Sequence, residues 1–178
     1  EWPPRYSDSF APSPDQEYWS PELETMPPID RDQHILAKLQ QQVRYAFQKS
    51  GFYREFYKNA PVDPANLKSL EEFGQLPILT KEDIRREQEE HPPYGRFLCI
   101  QPEDIFRLHG TSGTTGRPTV FGIGIDDWNR IAEAHARILW GAGLRRDDTV
   151  MVAAVFSLYV GSWGALVGAE RLGATCFP

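Results

Sequence analysis

Residues 149–178 constrain the fold of this chain more than any other segment. Residues 149–156 are almost continuously apolar, which is typical of a strand buried on both faces of a parallel sheet. The pattern then predicts a helix over 159–172 and a second strand over 174–177. A strand–helix–strand unit of this spacing implies a right-handed crossover and a parallel sheet covered by helices.

Small residues recur along the predicted helix 159–172, and the pattern predicts that it packs closely against a neighbour. They are Gly161, Gly164, Ala165, Gly168 and Ala169. An earlier helix is predicted over 127–142, because four residues fall on one face and Gly143 ends the pattern. Those four are Ile131, His135, Ile138 and Leu139.

Prolines dominate residues 1–30, which are therefore predicted to form an extended arm rather than a helix. The prolines are Pro3, Pro4, Pro12, Pro14, Pro21, Pro27 and Pro28. The aromatic residues of the arm indicate that it packs either on its own domain or on a partner subunit. They are Trp2, Tyr6, Phe10, Tyr18 and Trp19.

Residues 31–104 are predicted to form a helical subdomain. A helix rich in apolar residues at helical spacing ends at Ser50-Gly51, and a short helix holding Phe52 follows. Thr80 is expected to cap a helix over 81–89, whose charged run 85–90 is interpreted as a solvated face. Six aromatic side chains are assigned to the core rather than to a ligand cage. They are Tyr45, Phe47, Phe52, Tyr53, Phe56 and Tyr57.

Composition excludes several classes of function. The chain has 178 residues, of which 40% are hydrophobic and 25% charged, enough for a sizeable core. The net charge of -6 argues against non-specific binding to nucleic acid or to an anionic membrane. No apolar run of about 20 residues and no signal peptide are evident, which favours a cytoplasmic location. Cys99 and Cys176 are expected to be buried and reduced, and no metal site is predicted.

The segment 111–117 carries the densest group of hydrogen-bond donors in the chain. Glycine lets backbone N–H groups approach a ligand, and hydroxyl groups add short donors, so the segment suits phosphate oxygens. It consists of Thr111, Ser112, Gly113, Thr114, Thr115, Gly116 and Arg117. The pattern predicts a nucleotide phosphate loop with Arg117 as a fixed positive charge. A polar surface hairpin that binds nothing is the alternative.

The flanks of this loop distinguish it from a Walker A motif. Walker A has four residues between its glycines, followed by Lys and a helix, whereas five residues separate Gly110 from Gly116 here. Residues 105–108 and 119–123 are β-rich. The loop is therefore predicted to lie between two strands, which argues against a P-loop kinase or GTPase.

The segment Thr-Ser-Gly-Thr-Thr-Gly-Arg-Pro-Thr resembles the phosphate loop of adenylate-forming acyl- and aryl-CoA synthetases. Thr119, where most members have Lys, is more similar to the phenylacetate–CoA ligase branch. Residues 51–57 leading to 76–83, and residues 168–175, resemble the same branch. The resemblance runs in order from about residue 32 to residue 178.

The resemblance implies an α/β fold in which a helical subdomain precedes the start of a mostly parallel adenylation domain over 105–178. It also implies an activity, ATP-dependent activation of a carboxylic acid as the acyl-adenylate, followed by transfer to CoA. ATP with Mg²⁺ and CoA are then co-substrates, with no tightly bound cofactor evident. The acid is expected to be aromatic, neither nucleic acid nor membrane is expected as a partner, and a homodimer is left open.

The turn between the predicted strand 149–156 and helix 159–172 is the second candidate site, since open α/β sheets bind ligands at the carboxyl ends of their strands. The resemblance places an aryl-acid pocket there, with Ala154, Phe156 and Tyr159. Ala154 replaces an aromatic residue and Tyr159 replaces Phe, which favours a bulkier or more polar acid than phenylacetate. Core filling by Phe156 and Tyr159 is the competing interpretation. His109 could bind a phosphate or carboxylate, or be structural.

The adenine site, the Mg²⁺ ligand and the catalytic Lys of the family have no counterpart in this sequence, and no catalytic residue is assigned. The chain is accordingly interpreted as an N-terminal fragment of a ligase that is inactive alone. The alternative is a non-catalytic module that binds nucleotide or docks a partner.

Overall fold

The computed structural model describes residues 2–3, 11–111 and 118–178 of a mixed α/β chain. The chain divides into two compact units. The first comprises Glu1–Pro3, Pro27–Ile105 and Thr119–Gly122, and the second comprises Pro4–Met26, Phe106–Pro118 and Ile123–Pro178.

The first unit is helical, with short 3₁₀ turns at Gly95–Phe97 and Pro102–Asp104. Its helices are α2 (Pro28–Lys49), α3 (Gly51–Phe56), α4 (Leu70–Phe73) and α5 (Lys81–Glu90); α1, Pro21–Glu24, belongs to the second unit. The predicted helix ends are confirmed. The Ser50 hydroxyl accepts the N–H of Tyr53 at the start of α3, and Thr80 forms a capping box with Asp83 at the start of α5.

The prediction of an extended arm over residues 1–30 is wrong at two places within the described residues. Pro21 begins α1 and Pro28 begins α2. Proline fixes a backbone angle that suits the first turn of a helix. Because backbone N–H groups in that turn have no hydrogen-bond partner within the helix, the missing N–H of proline costs nothing there. The same residues that indicate an extended segment therefore start two helices.

Two apolar clusters hold the first unit together. Val43, Leu67 and Leu76 form one of them. In the other, the ring of Phe52, 7% exposed, lies 5.1 Å from that of Phe56 and 4.3 Å from that of Phe97. The burial of Phe52 confirms its own assignment to the core, and the other five aromatic residues of that prediction are partly buried. Burial also raises the pKa of Tyr53, beside it.

Glu87 corrects the prediction that residues 85–90 form a solvated face. Glu87 is 4% exposed. Its carboxylate accepts three hydrogen bonds from Arg96: from the backbone N–H at 2.8 Å, from Nε at 2.8 Å and from a terminal nitrogen at 2.9 Å. These bonds hold the pKa of Glu87 below its usual range. The charge pattern of the helix contains no sign of this partner, because Arg96 lies beyond its end.

The second unit contains the strand–helix–strand element. It comprises β3 (Thr149–Met151), α7 (Val160–Leu172) and β4 (Thr175–Phe177). Strand β3 pairs with β4 in parallel, with Thr149 opposite Thr175, which confirms the predicted parallel pairing. The last bond of the ladder joins the Val152 N–H to the Phe177 carbonyl.

The prediction of a long strand buried on both faces over 149–156 is wrong. The Ala154 N–H bonds to the Val152 carbonyl, so the chain turns out of the ladder after three paired residues. Met151 is 61% and Val155 78% exposed, because no described residue covers them. Apolar composition alone does not distinguish the strand from the turn that follows it.

Helix α6 (Ile125–Gly141) precedes β3, and α7 packs closely against it. A Cβ atom added at Gly164 would lie 2.4 Å from the His135 ring, and one added at Gly168 would lie 2.5 Å from the His135 Cβ. This confirms the predicted packing role of the small residues. The predicted apolar face of α6 is wrong at Ile138, which is 65% exposed, whereas Ile131, His135 and Leu139 are partly buried.

The buried face of α6 is set by two tryptophans, one at each end. Its buried residues are Trp128, Ala132, Ala136 and Trp140, spaced four apart. This spacing places the two large rings at the ends and alanine in the middle, where α7 approaches. The sequence interpretation weighted β-branched and leucine side chains and therefore chose a neighbouring face.

Residues 11–26 pack on their own unit through Trp19, which is 4% exposed. Its indole N–H donates to the Glu133 carboxylate at 2.7 Å, and its ring meets that of Trp140 edge-on, with centroids 5.8 Å apart. Arg145 lies over the other ring of this pair, with its guanidinium carbon 3.9 Å from the Trp140 centroid. The choice between own domain and partner subunit is thereby settled for Trp19.

Strands β1 (Ile105–Gly110) and β2 (Val120–Gly124) form a two-stranded sheet. They are the two strands predicted around the candidate phosphate loop. Within the described ranges, no helix combines the length and apolarity needed to cross a bilayer.

We expect Glu87→Gln to lower the midpoint of thermal unfolding at pH 7 by a few degrees, because the amide cannot accept the charge-assisted bonds of Arg96. A folded-state pKa below the unfolded value gives stability that is present above the unfolded value, about 4.3, and is lost as pH falls through the folded one. The difference between variant and wild type should therefore shrink below about pH 4. Glu89→Gln, at an exposed position of the same helix, is the control and should not change the midpoint.

We expect Trp19→Ala to lower the free energy of unfolding by about 3–5 kcal/mol, as for other large buried rings. Denaturant titration measures this loss. Tyr18→Ala, one residue away and less buried, should cost much less. Equal losses in the two variants would contradict the packing role of Trp19.

Candidate functional site

The end of β1 is joined to the turn at 152–159 through one carbonyl oxygen. The Gly110 N–H donates to the Leu158 carbonyl at 2.9 Å, and His109 Nδ1 lies 3.1 Å from the same oxygen. A carbonyl only accepts, so Nδ1 carries the hydrogen in this contact. The residues that enter the predicted phosphate loop are thereby held beside the turn of the second candidate site.

His109 is buried, with 4% of its surface exposed. Its ring stacks on that of Trp128 with centroids 5.4 Å apart and an angle of 7° between the planes. The second ring nitrogen, Nε2, is buried and has no hydrogen-bond partner among the described residues. Stacking and the Leu158 contact together fix the orientation of the imidazole.

Arg107 lies on the same side of β1 as His109, since alternate strand residues share a face. Its guanidinium carbon is 4.2 Å from the Trp128 centroid and 4.4 Å from that of Trp163. These distances are in the range of cation–π attraction. The sequence interpretation missed this cluster; the alternation within 105–109 was the available signal, because it places Arg107 and His109 together.

The turn between β3 and α7 is held by side chains of the first turn of that helix. The Ser162 hydroxyl donates to the Val155 carbonyl at 2.8 Å, and the Trp163 indole N–H donates to the Ser157 carbonyl at 2.9 Å. Phe156 meets the Trp163 ring edge-on, with centroids 4.9 Å apart. Phe156 thus packs against the helix, as the core-filling interpretation expects.

Tyr159 and Ala154 are exposed, and Tyr159 retains 62% of its accessible surface. The Tyr159 ring lies over Gly161, where an added Cβ would come within 2.4 Å of it. Tyr159 is therefore not a core residue within the described part of the chain. Its hydroxyl and the surface of Ala154 are accessible to a ligand.

The predicted phosphate-loop residues are mostly outside the described part of the chain. Thr111 lies immediately after β1, and Ser112, Gly113, Thr114, Thr115, Gly116 and Arg117 lie outside the described residues. Beyond them Thr119 is 4% exposed. At Val120, which begins β2, the Gln88 amide pairs with both backbone groups, donating to the carbonyl at 2.7 Å and accepting from the N–H at 3.1 Å.

One group of possible metal ligands occurs within the described residues, and it lies in the first unit. Glu87, Glu90 and His91 bring their ligand atoms within 4.8 Å of one another. Glu87 is already bonded to Arg96, so its carboxylate is engaged. The two cysteines are both free thiols and half-buried, and burial together with Glu170 raises the pKa of Cys176.

Comparison with known sequences identifies relatives among the CoA ligases, although no family model matches the chain. A phenylacetate–coenzyme A ligase of Pseudomonas putida is 38% identical over 146 residues, covering 82% of this chain and 32% of the relative. One from Thermus thermophilus is 36% identical over 160 residues, covering 90% and 35%. The chain thus spans about a third of the length of these curated relatives.

Solved structures of 2-hydroxyisobutyryl-CoA ligase match the whole chain. An open conformation in complex with 2-HIB-AMP and CoA has a TM-score of 0.93 and 51% identity, and the match covers 41% of that chain. A complex in the thioesterification state has a TM-score of 0.94 and 53% identity, covering 38%. The fold described above is therefore part of the fold of an adenylate-forming ligase.

The related sequences and the solved structures are all CoA ligases. Their matches include the described strands, the turn at 152–159 and the helical unit that precedes them. The chain is homologous to the phenylacetate–CoA ligases, and it matches only an N-terminal portion of them.

Proposed function

We propose that the full-length protein carrying this chain is an AMP-forming acid–thiol ligase. In the first step a carboxylate oxygen of the acid attacks the α-phosphorus of the ATP–Mg²⁺ complex, and the bond to pyrophosphate breaks. In the second step the CoA sulfur, having lost its proton, attacks the acyl carbon and AMP leaves. This chain would contribute the phosphate-binding segment and part of the acid pocket.

The observation that carries this proposal is the shared Leu158 carbonyl. Acyl-adenylate formation requires the reacting oxygen and phosphorus to be about 3–3.5 Å apart. The sites for the acid and for the phosphates must therefore be neighbours. The bonds from Gly110 and His109 to Leu158 keep the entry to one segment beside the turn of the other.

In the proposed mechanism the segment after β1 binds the β- and γ-phosphates through hydroxyl and backbone donors. Its side-chain donors are Thr111, Ser112, Thr114 and Thr115, and Gly113 and Gly116 let the backbone approach. Catalysis in this step depends on positioning and on stabilisation of developing charge. Arg117 supplies the fixed positive charge. Because Thr119 is neutral and buried, Arg117 carries more of that charge compensation.

We further propose that residues 105–178 are the first part of the adenylation domain, preceded by the helical subdomain over 31–104 and by residues 1–30, in which helices begin at Pro21 and Pro28. The described secondary structure supports this division in part, because helices precede 105 and the parallel strand pair follows it.

For the acid, we propose a substrate more polar than phenylacetate. Tyr159 replaces the Phe expected from the family resemblance, and its side chain is 62% exposed. Ala154 stands in place of an aromatic residue and is exposed. The 51–53% identity to 2-hydroxyisobutyryl-CoA ligase, against 36–38% for two phenylacetate–CoA ligases, supports a hydroxylated acid. An aromatic acid that carries a polar group is the second candidate.

Exchange of radioactive pyrophosphate into ATP by the full-length protein tests the activity. Exchange that depends on a carboxylic acid supports the ligase, and a panel of phenylacetate, hydroxylated aliphatic acids and hydroxylated aromatic acids identifies the class. Nucleotide binding without exchange for any acid would support a non-catalytic binding module instead.

We expect Arg117→Ala to raise the apparent KM for ATP about tenfold or more, as for loss of a charge-assisted bond worth roughly 1.5–3 kcal/mol. Initial rates of exchange at varied ATP concentration measure the effect. Arg146→Ala, an exposed arginine near the end of α7, is the control. An unchanged KM in the first variant would contradict the role of Arg117.

We expect Ala154→Tyr to shift preference toward phenylacetate by about tenfold in kcat/KM relative to a hydroxylated acid, because an added ring fills apolar space. The ratio of exchange rates for the two acids measures the shift. Ala153→Tyr places the same side chain one residue away and should not change the ratio. The same ratio in both variants would remove Ala154 from the pocket.

A further inference from the structure

We infer that His109 is a positioning residue that anchors the turn at 152–159 to the end of β1. Its Nδ1–H donates to the Leu158 carbonyl, and this contact sets the position of the turn relative to the end of β1. The catalytic consequence rests on the proposed function. The anchoring itself is a property of the fold and can be tested separately.

The turn depends on polar contacts for its position because little of its surface is buried. Val155 is 78%, Leu158 38% and Tyr159 62% exposed. Two of its carbonyl contacts, at Val155 and Ser157, come from α7, which directly follows the turn in the chain. Those contacts fix the turn against its own helix only.

The link between the turn and β1 is made at Leu158. Within the described residues, the hydrogen bonds that β1 gives to the turn both end on the Leu158 carbonyl, from Gly110 N–H and His109 Nδ1. A carbonyl oxygen has two lone pairs and can accept both bonds. With two donors from adjacent residues, the oxygen is fixed in direction as well as in distance.

The imidazole is a rigid donor rather than a flexible one. Trp128 covers its face, and Arg107 lies over the same indole ring. Trp128 is itself only 8% exposed, on the buried face of α6. The donor direction of Nδ1 therefore follows from the packing of α6 under β1.

Among the described residues, Nε2 of His109 has no hydrogen-bond partner, which argues against a role of His109 in core filling alone. A buried nitrogen without a hydrogen-bond partner costs free energy, which an apolar ring of the same size would avoid. Phenylalanine would stack on Trp128 without that cost. The presence of histidine at 4% exposure is explained by what Nδ1 does.

Two substitutions separate positioning from filling. His109→Asn keeps a donor at the place of Nδ1 but loses most of the ring. His109→Phe keeps the ring and its stacking but has no donor. A filling role predicts that the Asn variant is the more impaired, and a positioning role predicts that the Phe variant is.

The first measurement is steady-state exchange in the full-length protein, with kcat and the KM values for acid and ATP determined separately. We expect kcat of His109→Phe to fall roughly ten- to a hundredfold, as for a small misplacement of reacting groups. His109→Asn should retain most of the wild-type kcat. His91→Asn, a half-exposed histidine of the first unit, is the control and should match wild type.

The second measurement is amide hydrogen exchange of residues 154–161, which requires no ligase activity. We expect faster exchange over this turn in the Phe variant and wild-type exchange in the Asn variant. Wild-type exchange in both, or an Asn variant with lower kcat than the Phe variant, would overturn the inference. Absence of acid-dependent activity in the wild type would reject the proposed function, and the amide exchange would still decide the anchoring.

Discussion

The close approach of α6 and α7 is the constraint on which the second unit depends. Gly164 and Gly168 have no side chain, so His135 and Ala136 of the neighbouring helix occupy the space where a Cβ would be. At this separation Trp128 and Trp163 of the two helices meet edge-on, with centroids 6.5 Å apart. The two rings provide the surface on which the β1 side chains lie. Larger residues at the glycines would separate the rings and remove that surface.

From this contact the site follows in two directions. Toward β1, the tryptophan rings receive Arg107 and His109 on one face of the strand. Toward the turn, Trp163 receives Phe156 and bonds the Ser157 carbonyl. The turn and the end of β1 therefore both pack against the same pair of helices, α6 and α7. The hydrogen bonds to the Leu158 carbonyl join the strand end to the turn.

Sequence reasoning predicted the elements well where local chemistry decides them. Thr80 and Ser50 cap helices because their hydroxyls accept backbone N–H groups nearby in the chain. The parallel pairing of β3 and β4 follows from the length of the segment between them. It failed where a distant partner decides the outcome. The buried state of Glu87 depends on Arg96, nine residues later, and the length of β3 depends on a turn whose residues are as apolar as the strand.

The candidate site was predicted in the same uneven way. The predicted phosphate-binding residues stay a prediction, because most of them lie outside the described residues, whereas the turn before α7 was predicted from the change of pattern between strand and helix. Sequence reasoning did not predict the cluster of Arg107, Trp128 and Trp163. Each of them alone is an ordinary strand or helix residue, and only the tertiary structure brings them into contact. Tyr159 could be placed on the turn from the sequence, but its exposure required the structure.

The pairing of Gln88 with Val120 has a consequence for the start of β2. A primary amide carries a donor and an acceptor in one plane, so it can satisfy a residue as a neighbouring strand would. With both backbone groups of Val120 occupied, a strand from another molecule cannot register there without displacing the glutamine. A single side chain of a helix thus protects the start of this strand against edge-to-edge association, which open sheets otherwise invite.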